Sequence, residues 1–307
     1  MIALVAAGCQ DTAYEYHEAD APRYAPVRVE KLKRPVVALV LGSGGRRGFA
    51  HVGVLKALEA GQFKPDLIVG VSIGSVVGAM YASGMSAAEI EKLALELDLA
   101  KLFDISFRKP GRVHGQALQN LVNDKVGNKP LDALGLRFAA VATRRSDGVQ
   151  QIFNAGNTGV AVQASSAVPE RILPVRIGGD SYEDGDTTSP VPVRAARLLG
   201  ADVVIAVDIS AQADSAPAHA PDNWRARDQR RRTLIDAEIK GADVVIHPDL
   251  GYYAGTSPEY RRRAIAAAEA ATLAALPKIK AAIVEKRAAT KPTAPLAAPA
   301  PPPPAAR

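Results

Sequence analysis

Leu67-Ile68-Val69-Gly70-Val71-Ser72-Ile73-Gly74-Ser75-Val76-Val77-Gly78 is an apolar run, then a serine between two glycines, then a run of small residues. The run at 67–71 is short for a helix and has no polar face, so it reads as a strand buried on both sides, and 74–83 reads as the helix that follows. Gly-x-Ser-x-Gly between a strand and a helix is the pattern of a nucleophile elbow. Such a turn is strained, and Gly70 and Gly74 allow the neighbouring backbone to approach Ser72 closely. Ser72 then stands at a helix N-terminus, where unpaired amides favour developing negative charge. The plainer reading is a strand-to-helix turn capped by a serine.

Upstream, 36–41 is a second buried strand, leading through Gly42-Ser43-Gly44-Gly45-Arg46-Arg47-Gly48 into a helix at 48–60. A loop of this kind turns several amides toward one point and suits either a phosphate or the oxyanion of a tetrahedral intermediate. It lacks the Gly-Lys-Ser/Thr ending of a phosphate loop, and its spacing is not that of a dinucleotide fingerprint. Downstream, Tyr182-Glu183-Asp184-Gly185-Asp186 follows the tight turn Gly178-Gly179-Asp180 and precedes Ser189-Pro190-Val191-Pro192-Val193. An aspartate held within reach of the serine can take its proton directly if burial suits its pKa. A plain Asp-Gly turn is the other reading.

Along the rest of the chain short apolar runs alternate with amphipathic ones, which predicts an α/β fold: a mostly parallel central sheet covered by helices on both faces. Ser86-Ala87-Ala88-Glu89 is a capping box, 138–143 and 149–153 flank a hairpin turn at Ser146-Asp147-Gly148, and Asn157 caps a helix ending at Ser165. Residues 174–177, 203–209 and 244–247 read as further strands, and 258–285 as a long closing helix. The expected organisation is an N-terminal signal remnant or arm at 1–33, one domain at 34–285, and a disordered Pro/Ala-rich tail at 286–307.

The 307 residues are 48% hydrophobic and 23% charged, enough for a sizeable core, with a formal charge of +6 and a pI near 9.4. That charge permits attraction to an anionic membrane surface, but without zinc-ligand spacing, a basic recognition helix or an aromatic-studded sheet no nucleic-acid partner is expected. No apolar run is long enough to span a bilayer. Nothing sets an oligomeric state. Cys9, the one cysteine, follows the apolar and small residues Met1 to Gly8 and precedes polar Gln10, which resembles the end of a bacterial lipoprotein signal. An upstream start codon would supply its missing basic start. The expectation is lipid attachment at Cys9 on the periplasmic side of the outer membrane, favoured by Gln10 where an inner-membrane lipoprotein has aspartate; the alternatives are a frayed terminus and a cytoplasmic protein.

The glycine-rich loop, the elbow, Ala164-Ser165-Ser166-Ala167-Val168-Pro169, and the Asp-Gly element with its following Ser-Pro-Val-Pro-Val resemble, in order and spacing, the four blocks of patatin-like phospholipases. The resemblance spans about 35 to 285, and 203–210 is similar to the strand that follows those blocks in bacterial members. It implies hydrolysis of fatty-acid esters of lipids by a Ser–Asp dyad, with no cofactor and no metal. Carried over, Ser72 is the nucleophile and Asp184 the base. The amides of Gly44, Gly45 and Arg46, with that of Ile73, form the oxyanion hole, and Gly42, Gly48, Gly70, Gly74 and Gly185 are motif glycines. One residue departs from the pattern: Asp186 stands where Gly or Ala is usual, and a second carboxylate there would raise the pKa of Asp184 or crowd the site.

Two other readings stay open: a Ser–His–Asp triad using Asp208 with His219 or His247, and a non-catalytic lipid-binding member of the fold. Arg225, Arg227, Arg230, Arg231 and Arg232 read either as a face toward anionic headgroups or as a solvated helix start, and the apolar stretch 99–107 as lid or core.

Overall fold

The computed structural model describes residues 15–16, 21–27, 34–102, 113–212 and 215–289. Its strands are β1 (Glu15–Tyr16), β2 (Val37–Leu41), β3 (Leu67–Val71), β4 (Arg137–Arg144), β5 (Val149–Phe153), β6 (Val175–Ile177), β7 (Asp180–Asp184), β8 (Val203–Val207) and β9 (Val244–Ile246). Its α-helices are α1 (Phe49–Ala60), α2 (Ile73–Ala82), α3 (Ala87–Glu96), α4 (Gln116–Lys125), α5 (Thr158–Ser165), α6 (Val193–Leu198), α7 (Asp222–Ile239) and α8 (Pro258–Ala289). The strands join in one sheet in the order β1-β6-β7-β4-β3-β2-β8-β9, with β5 paired to β4. Its centre, from β4 through β3, β2 and β8 to β9, is parallel, while β5 and β7 run antiparallel to β4.

Strands β2, β3 and β8 are apolar and buried throughout because both faces are covered. In β2, Val37, Leu39 and Leu41 pack into one core, and Ala38 and Val40 into the other. The first core holds Leu55 of α1, Met80 of α2, Val160 of α5 and Ile265 of α8; the second holds Ala195 and Ala196 of α6 and Ile235 of α7. The predicted α/β architecture is the one observed, with an antiparallel edge.

The capping box at Ser86 and Glu89 is formed on both sides, and Asn157 accepts from the Val160 amide as the N-cap of α5. Two helices, α4 and α6, lie outside the expectation, and α7 is the helix whose start is one of the two readings of the arginine cluster. In α7 only Ile235 and Glu238 are buried, so there is no apolar period to read. The closing helix runs on from the expected end at 285 to Ala289, and the remainder of the tail lies outside the described residues. Of the expected arm, β1 adds to β6 and Arg23 bridges Ala155, so these parts lie on the domain.

Strand β2 has β3 on one side and β8 on the other, so the chain leaves it in one direction and returns to its opposite edge. Strand ends at such a switch point leave a crevice. The glycine-rich loop leaves β2 there and Ser72 leaves β3 beside it.

Candidate active site

Ser72 has φ 53° and ψ −127°, a conformation that a non-glycine residue holds only where its surroundings enforce it. The enforcement is visible. A Cβ on Gly70 would lie 2.5 Å from the Gly74 carbonyl oxygen and from Ser75 Cα, and one on Gly74 would overlap the Leu41 carbonyl oxygen. The Ser72 amide donates to Ser165 Oγ at 2.9 Å, Ser165 Oγ donates to the Val141 carbonyl at 2.6 Å, and Ser75 Oγ donates to the Ser72 carbonyl at 2.6 Å. Ser165 thus pins the elbow from inside the third sequence block. The Ser72 side chain makes no cap on α2, which removes the plainer reading of that turn.

Sheet register delivers the aspartate. Val71 pairs with Val141 across β3 and β4, and the next residue of β4, Ala142, pairs with Asp184 of β7. Ser72 Oγ donates to Asp184 Oδ2 at 2.6 Å, and the Asp186 amide donates to Asp184 Oδ1 at 2.8 Å. Asp184 is 2% exposed. Burial first, and the Asp186 charge second, push its carboxyl up to about 7, against the hydrogen bonds from Ser72 and the Asp186 amide and the charge of Arg231. A carboxyl poised there exchanges protons near neutrality, as a general base requires.

Asp186 does not crowd this pair. Its side chain turns to Arg231 of α7, whose Nε lies 2.6 Å from Oδ1, and it also accepts from Ser43 Oγ. Arg231 Nη2 donates to the Ser43 carbonyl at 2.8 Å as well, so one guanidinium ties the Asp-Gly turn to the glycine-rich loop. The amides of Gly42 and Ser43 are spent on Val207 and Pro190 carbonyls, at 3.0 and 2.9 Å. The donors that remain for an anion are those of Gly44, Gly45 and Arg46, where the loop enters a short helical turn, Gly45–Gly48. His51 of α1 is fully buried beneath the loop and donates from Nε2 to the Gly42 carbonyl at 2.8 Å; burial holds it neutral, its pKa lowered to about 4.

Gly45, Arg46, Gly48, Ser72 and Ile73 all line one cavity of about 490 Å³. Its remaining wall is almost wholly apolar, including Phe49, Val76, Met80, Leu93, Leu118 and Leu121, so it suits a hydrocarbon chain ending at Ser72. Leu102 belongs to this wall, whereas 103–107 lie outside the described residues.

The histidines have other partners. His247 Nε2 lies 3.1 Å from the Ser210 carbonyl and 3.8 Å from Asp208, and His219 bonds the Tyr253 hydroxyl. Burial drives the Asp208 carboxyl upward, but His247, Ser210 and Arg232 together hold it below the usual range. Among the described residues no histidine bonds Ser72. The arginine cluster is likewise not one face: Arg231 pairs with Asp186, Arg232 with Asp208 and Asp236, and Arg225 and Arg227 stay nearer the surface. Cys9 lies outside the described residues. Among those residues no cluster suited to a metal ion occurs, and no helix is long and apolar enough to cross a membrane.

Sequence reasoning missed Ser165, His51 and Arg231 as supports of the site. Only Ser165 carries a signal, as a member of a recurring block.

Residues 39–197 match the family model described as patatin-like phospholipase. An uncharacterized NTE family protein of Mycobacterium tuberculosis is 34% identical over 199 residues, covering 64% of this chain and 55% of its own length. Lysophospholipase NTE1 of Coccidioides immitis is 32% identical over 187 residues, covering 59% of this chain and 12% of its own. This chain therefore spans about half or less of the length of these curated relatives. The crystal structure of VipD from Legionella pneumophila superposes with a TM-score of 0.56 at 14% identity, over 80% of this chain and 67% of that one, a likeness of fold.

Proposed function

This chain belongs to the patatin-like phospholipase family, and from that premise we propose that it hydrolyses fatty-acyl esters of lipids with Ser72 as nucleophile and Asp184 as general base. The observation that carries the proposal is the 2.6 Å hydrogen bond from Ser72 Oγ to buried Asp184 Oδ2 at the head of an apolar cavity.

In this reading ionised Asp184 takes the Ser72 proton as Oγ bonds to the acyl carbon. The carbonyl oxygen becomes an oxyanion held by the amides of Gly44, Gly45 and Arg46, with that of Ile73 at the start of α2. Collapse of the intermediate breaks the ester bond, and Asp184 returns the proton to the leaving alcohol. A water molecule then gives a proton to Asp184 and attacks the acyl-enzyme. The fatty acid leaves and Ser72 regains its proton. The acyl chain occupies the cavity throughout. The name of the fungal relative supports a lysophospholipid as substrate.

A fluorophosphonate tests the proposal: it should label Ser72 of the wild type, and Ser72→Ala should be unlabelled and inactive on a panel of lysophospholipids, phospholipids and neutral esters. Labelling elsewhere, or hydrolysis by the alanine variant, would contradict it.

A further inference from the structure

A few residues before Thr256, which lines the apolar cavity, an aromatic cluster reaches solvent. Trp224 at the start of α7 is 40% exposed and Tyr253 is 47% exposed, with ring centroids 6.4 Å apart. Tyr252 packs edge-on to Tyr253 at 5.1 Å, and the His219 ring stacks on Tyr253 at 6.2 Å. The polar tips are engaged: Tyr252 donates to Asp228 at 2.9 Å, and the Tyr253 hydroxyl bonds His219. Parts of the Trp224 and Tyr253 rings remain open to solvent. Such rings, apolar in body and polar at the tip, suit the boundary between water and hydrocarbon.

The cluster is joined to the site. Arg47 of the glycine-rich loop donates to the Tyr252 carbonyl, and Thr256, a few residues on, lines the apolar cavity. Arginines ring it: Arg227 lies over the Trp224 ring at 5.7 Å, Arg230 is exposed one turn along α7, Arg263 reaches toward Gly251, and Arg46 is exposed at the cavity wall. Of the nearby carboxylates, Asp228 is engaged by Arg227 and Tyr252 and Asp222 by Arg225, while exposed Asp249 accepts from the Gly251 amide and offsets one positive charge. Among the described residues no carboxylate pairs with Arg46, Arg230 or Arg263, so the rim carries surplus positive charge.

We propose that this aromatic and arginine rim is the surface by which the protein docks on an anionic lipid bilayer, with the cavity mouth facing the lipid. The charge complements acidic headgroups, and the rings enter the interface beside the opening through which an acyl chain would pass. The inference rests on the lipid-hydrolase reading for its purpose, but the binding itself does not require turnover.

The test is co-sedimentation of the full chain carrying Cys9→Ser, so that no acyl anchor contributes, with vesicles of phosphatidylcholine alone or mixed equally with phosphatidylglycerol. Binding should favour the anionic vesicles and weaken with salt. Trp224→Ala with Tyr253→Ala, and separately Arg227→Gln with Arg230→Gln, should each weaken it by about tenfold or more. Turnover of a short water-soluble ester should stay at the level of the parent chain, which also reports that the variants are folded. Failure of the parent to bind either vesicle, or variants that bind as it does, would overturn the proposal; a rim that instead takes up a protein partner would give the first result. Vesicle binding without hydrolysis of any ester would leave the docking surface standing and sink the enzymatic reading.

Discussion

Arg231 Nε lies 2.6 Å from Asp186 Oδ1, and the Asp186 amide lies 2.8 Å from Asp184 Oδ1. A guanidinium on α7 thus stands one carboxylate away from the group that holds Ser72. The two charges act on Asp184 in opposite senses, Asp186 raising its pKa and Arg231 lowering it. The carboxylate that departs from the family pattern comes with its own counter-ion.

In the proposed mechanism that arrangement sets the pH dependence. Asp184 must be ionised to accept a proton, so kcat/KM should rise with pH through about 7. Asp186→Asn removes a negative neighbour and should move this acidic limb to lower pH. Arg231→Gln removes a positive neighbour and should move it to higher pH. Profiles that coincide with the wild type would show that neither charge is felt at Asp184.

Ser165 should matter for stability although it does not line the cavity. Ser165→Ala leaves the Ser72 amide and the Val141 carbonyl buried without their partner. The cost should be about 1–3 kcal/mol in urea denaturation, with turnover lowered as the elbow loosens. A variant as stable and as active as the wild type would mean the elbow is held by its glycines alone.

The glycine-rich loop is tested at Gly45, which has φ +54° and lines the cavity. A β-branched residue is strained in that backbone conformation, so Gly45→Val should displace the loop amides. Turnover should fall by about 10²-fold or more, the usual effect of losing an oxyanion donor. A folded variant with normal turnover would place the oxyanion site elsewhere.

The elbow, the loop and the Asp-Gly turn are legible in the sequence because each is a local pattern fixed by backbone geometry, with glycines where another chain segment comes close. Their meeting is not local. Asp184 reaches Ser72 through the register of β3, β4 and β7, and its identity as partner came from the family resemblance rather than from spacing. Arg231 was invisible as a partner because it sits 45 residues beyond Asp186 on a helix without apolar periodicity, where an arginine run reads as solvated surface. The same absence of period left α7 legible only as a candidate helix start at its arginines.

We propose in addition that Cys9 carries a lipid, on the strength of the small and apolar residues that precede it. Metabolic labelling with a fatty-acid analogue, in cells expressing the full gene, should mark the wild type and miss Cys9→Ser. Equal labelling of the two, or of neither, would remove the lipoprotein reading and its outer-membrane location.

The central claim is that Asp184, and no histidine, takes the proton from Ser72. Asp184→Asn keeps the shape of the side chain and can still accept from the Asp186 amide, but it has no basic oxygen for Ser72. The decisive measurement is turnover of one ester by Asp184→Asn, His219→Ala and His247→Ala, each checked for folding. The account predicts a loss of several orders of magnitude in the first and most of the activity kept in the other two. Wild-type turnover in Asp184→Asn together with a dead His247→Ala would contradict it and put a Ser–His–Asp triad in its place.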